Sequence, residues 1–193
     1  MDRLRTLTLL AGCAILAGAS AAIAHSGPNF VQVVALDECD PTTFNAALGE
    51  GGTGFCHNVA LSALGFATTL DQLFAKAAAG TPDPGWDFEP DQVTVRKDTI
   101  LSVTDQGGEP HTFTEVAHFG GGFIPDLNHG ESTVPECAGG FSNLAVARTR
   151  IVQGSHLDVT GLSKGTHFFQ CCIHPWMRMK TTSNSISALT PTS

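Results

Sequence analysis

A thiol, an imidazole and a thioether stand at a C-x-x-H-x-x-M spacing in residues 165–177, GTHFFQCCIHPWM, as Cys171, His174 and Met177. Soft sulfur with imidazole is a donor set that suits copper, and a weak, long axial Met completes the mononuclear electron-transfer type. Such a site needs a second imidazole, supplied by a distant strand. His111, in the PHTF of residues 110–113, is the best candidate.

The elements that must position these donors follow from the spacing. His167, Phe169 and Cys171 alternate along a strand, so their side chains share one face. The chain then has to turn, because Pro175 lacks a backbone N–H and blocks regular continuation. A short turning loop can gather donors at i, i+3 and i+6 around one point. A helix would align them too, but Pro175 and the β-prone run at 166–169 argue against one.

GTHFFQC followed by CIHPWM resembles the closing strand and ligand loop of the cupredoxins, of the plastocyanin and amicyanin kind. PHTF resembles the segment that carries their first His, and residues 88–113, FEPDQVTVRKDTILSVTDQGGEPHTF, resemble the strands leading to it. The resemblance spans residues 85–184, and the ligand loop is its most specific part. It implies one type 1 copper held by His111, Cys171 and His174, with Met177 axial; Met179 is the rival, and the i+6 spacing favours Met177. It also implies an exposed edge of His174 as the electron's route, inside an apolar docking patch that includes Pro175 and Trp176. Two positions depart from the pattern. Thr112 stands where plastocyanins usually have Asn, and Cys172 follows the ligand where a small residue is usual.

The 193 residues leave room for one domain with extensions or for two small domains. Twenty-one Gly, ten Pro and no Tyr suit a loop-rich β protein. A net charge of −8 disfavours nucleic acid and anionic membranes as partners. Residues 1–24 read as a signal peptide: Arg3 and Arg5 precede a mostly apolar run, and Ala22-Ile23-Ala24 is an A-x-A cleavage signature. No transmembrane segment is expected in the mature chain, and export to the periplasm or medium follows. Lipid anchoring at Cys13 is the lesser alternative, because the apolar run before it is short.

Cysteine usage agrees with export. Cleavage leaves Cys39, Cys56, Cys137, Cys171 and Cys172. One metal thiolate and two disulfides would use all five in an oxidising compartment. The preferred pairs are Cys39–Cys56 and Cys137–Cys172, although four cysteines allow three connectivities. A vicinal Cys171–Cys172 bond is the rival, and it would abolish the metal site.

Residues 25–80 are expected to form a partly helical N-terminal extension packed on the sandwich. It holds a strand at 29–36, a helix at 41–48 capped by Asp40, and a helix at 70–79 capped by Thr69. TPDPG at 81–85 marks the boundary, the cupredoxin domain runs over 81–184, and 185–193 is a polar flexible tail. Strands are expected at 92–96, 99–104, 112–117, 148–153 and 156–159, with a long loop at 119–136 and a hairpin turn at 163–165. Short strands at this spacing point to an all-β, Greek-key β-sandwich, cupredoxin-like in kind.

The function expected is a carrier of single electrons between redox proteins, a cytochrome or copper oxidoreductase, with no substrate transformed. The alternative is copper sequestration or delivery with the same ligands. An enzyme is a third reading, through a brace of imidazole and free amine at His25. Among the other histidines, His167 shares the face of Cys171 and is read as core packing. The acidic residues Asp87, Glu89, Asp91, Asp105, Glu109 and Glu115 are read as a mainly solvated face that could steer a basic partner.

Overall fold

The computed structural model describes residues 29–49 and 55–185. The expected signal peptide at 1–24 with Cys13, His25, residues 50–54 and the expected tail beyond Ser185 lie outside the described residues.

Two four-stranded sheets face each other. The first has the order β2 (Asp87–Glu89), β1 (Phe30–Leu36), β4 (Ile100–Asp105), β8 (His156–Val159). The second has the order β3 (Gln92–Arg96), β10 (Arg178–Asn184), β9 (Gly165–Gln170), β6 (Thr114–Val116). A short ribbon of β5 (His111–Thr112) and β7 (Arg150–Ile151) closes one end. Alternation decides which side chains enter the core: Leu101 and Val103 of β4 and Phe169 of β9 are buried. Phe113 joins the sheets, edge-on to Phe88 at 5.1 Å and stacked on Phe169 at 4.5 Å. The fold is an all-β sandwich, as the strand spacing suggested.

The strand at 30–36 is not part of an extension. β1 pairs in parallel with β4, Phe30 opposite Ile100 through Ala35 opposite Asp105, and antiparallel with β2. It is therefore an interior strand of the first sheet, and residue 81 does not bound the sandwich. A parallel partner seventy positions away leaves no hairpin signal in the sequence. What lies between β1 and β2 is a helical insertion: α1 (Pro41–Leu48), α2 (Val59–Leu64) and α3 (Leu70–Ala78).

Local chemistry builds the insertion. The Asp40 carboxylate accepts from Thr43 N at 3.0 Å with Pro41 following, and Thr69 and Gln72 form a capping box. Asn45 ties the returning chain, accepting from Phe55 N and Cys56 N and donating to Cys56 O. The Cys39–Cys56 disulfide closes the same turn. Phe44 of α1 stacks on Trp86 at 6.3 Å, which lays the insertion over one end of the sandwich.

Two further expectations change. Residues 163–165 do not make a hairpin, because β8 and β9 belong to different sheets and the turn crosses between them. The expected strand at 148–153 shrinks to β7, since α4 (Leu144–Arg148), capped by Asn143, occupies the preceding residues. The long loop after β6 is tied down: Gln170 bonds both the N–H and the carbonyl of Gly120, and Cys137 is bonded to Cys172.

Candidate metal centre

The turn that the Pro and the spacing require is held by two backbone bonds, Cys171 N to Met177 O and Met177 N to His174 O, each 3.0 Å. This loop between β9 and β10 presents Cys171 and His174. β5, at the end of β4's excursion, presents His111. Cys171 Sγ lies 3.9 Å from His111 Nδ1 and 3.9 Å from His174 Nδ1. Cys171 and His111 are fully buried and His174 is 2% exposed. Met177 is also fully buried on the loop.

Cys171 is the free cysteine among the described residues, so no vicinal disulfide forms; the bonds are Cys39–Cys56 and Cys137–Cys172. Thr112 N–H and His174 N–H both point at its sulfur, at 3.4 and 3.5 Å. Burial alone would raise this thiol's pKa, but the two imidazoles outweigh it and hold the pKa well below its ordinary value. Burial would likewise lower the His111 pKa, yet the Asp37 and Cys171 hydrogen bonds raise it well above the usual range.

The donor set passes a simple size test. Bonds of about 2.3 Å to sulfur and 2.0–2.1 Å to nitrogen, opened by about 120°, separate the two donors by about 3.8 Å. The observed 3.9 Å matches. One thiolate with two imidazoles and a buried thioether suits copper rather than structural zinc, which favours more than one Cys.

Both ring nitrogens that face away from the sulfur meet carboxylates. His111 Nε2 donates to Asp37 Oδ2 at 2.9 Å, and His174 Nε2 lies 3.6 Å from Glu109 Oε2. Asp37 stands just past β1 and is 4% exposed. Its oxygens also accept from Cys39 N, Asn58 Nδ2 and Glu109 N. Burial pushes its pKa up, but these bonds, His111's foremost, bring it below the ordinary value. Gly107 makes the approach feasible, since a Cβ there would run into Asp37 Oδ2. Glu109 accepts from Trp86 Nε1 at 2.9 Å, and burial raises its carboxyl to about 7. Sequence reading placed Glu109 on a solvated face and passed over Asp37. Neither lies in a motif.

The exposed edge expected for His174 is not there. Trp86, 1% exposed and 6.2 Å from the imidazole ring, covers it together with Glu109. The helical insertion that holds Trp86 is the physical reason. Pro175 is buried as well, and Trp176 is half-buried with its ring 5.6 Å from that of His174. His167 packs on Phe169 and binds Glu115 and Ser163 O, away from the metal donors.

The two departures in the motif each have a job. Thr112 Oγ1 accepts from Cys172 N at 2.7 Å, so a hydroxyl pins the ligand loop. Thr112→Val leaves that buried N–H unpaired and should cost about 1–3 kcal/mol, read by chemical unfolding of the metal-free protein. Cys172 turns away from the site into the Cys137 disulfide. There Gly122 lets the backbone close in, since its Cβ would collide with Cys172 O.

Asp105 adds a second buried carboxyl behind His111. One oxygen accepts from Gly107 N, and Oδ2 has no partner among the described residues. Burial raises this carboxyl to about 6. A raised carboxyl is neutral in both folded and unfolded chains at low pH. As pH climbs from the unfolded value toward the folded one, the unfolded carboxyl ionises while the buried one keeps its proton, so stability falls by about 3 kcal/mol between about pH 4 and 6. In metal-free protein, Asp105→Asn should therefore be stabilising by about that amount at pH 8 and neutral at pH 4. Urea unfolding at the two pH values checks this.

No protein-family model matches the chain, and no curated protein matches it. Among solved structures, a reduced mutant of amicyanin is similar over 51% of this chain and 73% of that one, at 15% identity and a TM-score of 0.32. A purple cupredoxin from Nitrosopumilus maritimus is similar over 53% and 86%, at 13% identity and a TM-score of 0.33. An oxidised amicyanin mutant covers 50% and 71%, at 18% identity and 0.32. With two facing mixed sheets, an imidazole beyond β4 and a thiol-bearing loop between β9 and β10, the chain has a cupredoxin-like fold.

Proposed function

We propose that His111, Cys171, His174 and Met177 hold one type 1 copper ion and that the protein carries single electrons between redox partners. One observation carries the reading: the unpaired, fully buried thiol of Cys171 has an imidazole nitrogen at 3.9 Å on each of two sides. Copper bound there supplies a one-electron Cu(II)/Cu(I) couple. The chain's own residues do the rest. Cys171 offers the thiolate, and the N–H groups of Thr112 and His174 steady its charge. The imidazoles of His111 and His174 would complete the hold on the ion, and Met177 would supply the thioether donor. Asp37 fixes the tautomer of His111, so that Nδ1 is free to bind. The sandwich and the closed loop hold these groups still in both oxidation states.

Burial favours a carrier over copper delivery. Ligands that are 0–2% exposed cannot hand over a metal unless the loop opens. The two disulfides support an exported, periplasmic or secreted protein. A cytochrome or copper oxidoreductase partner would approach at Trp176, the half-buried member of the Pro175–Trp176 pair. Absorption and spin-resonance spectra of the copper-loaded mature protein test the assignment. An intense visible band with a reversible potential supports it; a colourless protein that gives its metal quickly to a chelator points to delivery instead.

A further inference from the structure

The carboxylate behind His111 sits in a covalent bracket. Asp37 Oδ2 meets His111 Nε2 at 2.9 Å, and its other oxygen accepts from Cys39 N at 3.1 Å and from Asn58 Nδ2 at 2.7 Å. Asn58 Nδ2 also lies 3.0 Å from the Asp37 carbonyl and 3.5 Å from Cys39 Sγ. One donor thus belongs to Cys39 and the other stands two residues past Cys56, and these two cysteines are bonded to each other. Both are buried, so the bond lies inside the contact and not on its surface. The loop that carries His111 rests on the same bracket. His57 N donates to Gly108 O at 3.1 Å, and a Cβ at Gly108 would run into Cys39 Sγ and the Asn58 amide.

The two arms of the bracket are not equally secured. Cys39 has a β-bridge to Thr68, flanked by bonds from Asp40 N to Thr68 O and from Thr68 N to Glu38 O. On the other arm Asn45 grips the chain only as far as Cys56. Without the disulfide, Cys39 keeps its place and Asn58 is the part set free, taking with it the shortest hydrogen bond that Asp37 accepts. A carboxylate fixed at both oxygens has one orientation, and a carboxylate loosened at one of them can turn. We propose that Cys39, Cys56 and Asn58 are positioning residues of the metal centre: together they hold Asp37 with Oδ2 aimed at His111, and so set how firmly that imidazole binds copper. The aim of Asp37 stands on the hydrogen bonds alone, while its effect on copper rests on the function proposed above.

The test begins with metal-free, 15N-labelled protein. The buried Nε2–H of His111 should give a slowly exchanging imidazole proton signal, identified by its loss in His111→Ala. In Asn58→Ala, and in the double variant Cys39→Ala with Cys56→Ala, that proton should exchange with water about tenfold faster, the loss of one hydrogen bond. Unchanged exchange in Asn58→Ala, which keeps the disulfide, overturns the bracket whether or not the double variant folds. In copper-loaded protein, Cu(II) affinity read by chelator competition should fall about tenfold in both, the low end of the loss for an outer partner of a ligand imidazole. A disulfide that only staples the insertion would lower the unfolding temperature and spare the affinity, which would overturn its positioning role. In an Asp37→Asn background Asn58→Ala should cost no further affinity, because the residue it acts through is gone; losses that simply add overturn the route through Asp37. A faster-exchanging imidazole proton in protein that binds no copper would keep the bracket and sink the copper reading, so the two failures are distinguishable.

Discussion

Cys171→Ser should abolish the intense visible band of the copper-loaded protein and leave the sandwich folded. The band requires a thiolate, and a serine hydroxyl stays protonated beside neutral imidazoles. The replacement is close in size, and the new oxygen can still accept from Thr112 N and His174 N. The loss in stability should therefore stay within about 1–3 kcal/mol, the range for one altered buried hydrogen-bonding group. Two disulfides hold the remaining described cysteines, so a thiol assay on the denatured, unreduced mature protein should find a reactive thiol in wild type and none in the variant. A variant that keeps its colour would mean that another sulfur binds the metal. A variant that unfolds would leave the assignment to His111→Ala and His174→Ala, each of which should bleach the protein as well.

The ligand loop was legible because its information is local. Cys171, His174 and Met177 lie within seven residues, and Pro175 announces the turn. PHTF gave His111 for a similar reason. The expected Cys39–Cys56 and Cys137–Cys172 bonds both form, although spacing alone allows three connectivities. What escaped the sequence depends on pairing across distance. The strand at 30–36 reads from sequence as part of a covering extension because its parallel neighbour, β4, is seventy positions away. Misplacing β1 hid Asp37, which stands one residue beyond it and reaches His111 only through that pairing. Glu109 reads as part of a solvated face, and Trp86 carries no signal in the sequence, for a related reason. Only the folded insertion, with Phe44 behind Trp86, shows that this end of the sandwich is closed. Thr112 was flagged as a departure from the pattern, and its hydroxyl turns out to hold the loop by a different atom.

Asp37→Asn carries the second large effect, because it acts on the metal without touching it. A ligating imidazole whose far N–H is bound by a carboxylate is more basic and more firmly oriented, and loss of such a partner costs 10–100-fold in metal affinity. Asn cannot replace Asp37 faithfully. Oδ1 accepts from Cys39 N and Asn58 Nδ2, and Oδ2 accepts from Glu109 N and His111 Nε2. One carboxamide must turn its NH2 toward two of these donors, and breaking a buried charged pair of this kind costs about 3–5 kcal/mol. The effect on the couple has a definite sign. A buried negative charge behind His111 favours Cu(II) over Cu(I), so its removal weakens the oxidised form more and raises the potential. Each tenfold loss of affinity confined to Cu(II) is worth about 59 mV for one electron. Voltammetry of the copper-loaded variant should therefore show an upward shift of tens of millivolts, alongside a lower unfolding temperature of the metal-free form. A merely structural role for Asp37 would lower the unfolding temperature and leave the potential of the surviving folded protein where it was. A downward shift would contradict the electrostatic account outright. Glu109→Gln is the matched comparison: its oxygen can still accept from Trp86 Nε1, and it lies 3.6 Å from His174 rather than at hydrogen-bond distance. Its shift should have the same sign and be smaller, because burial raises its carboxyl to about 7 and leaves it only partly ionised near neutral pH.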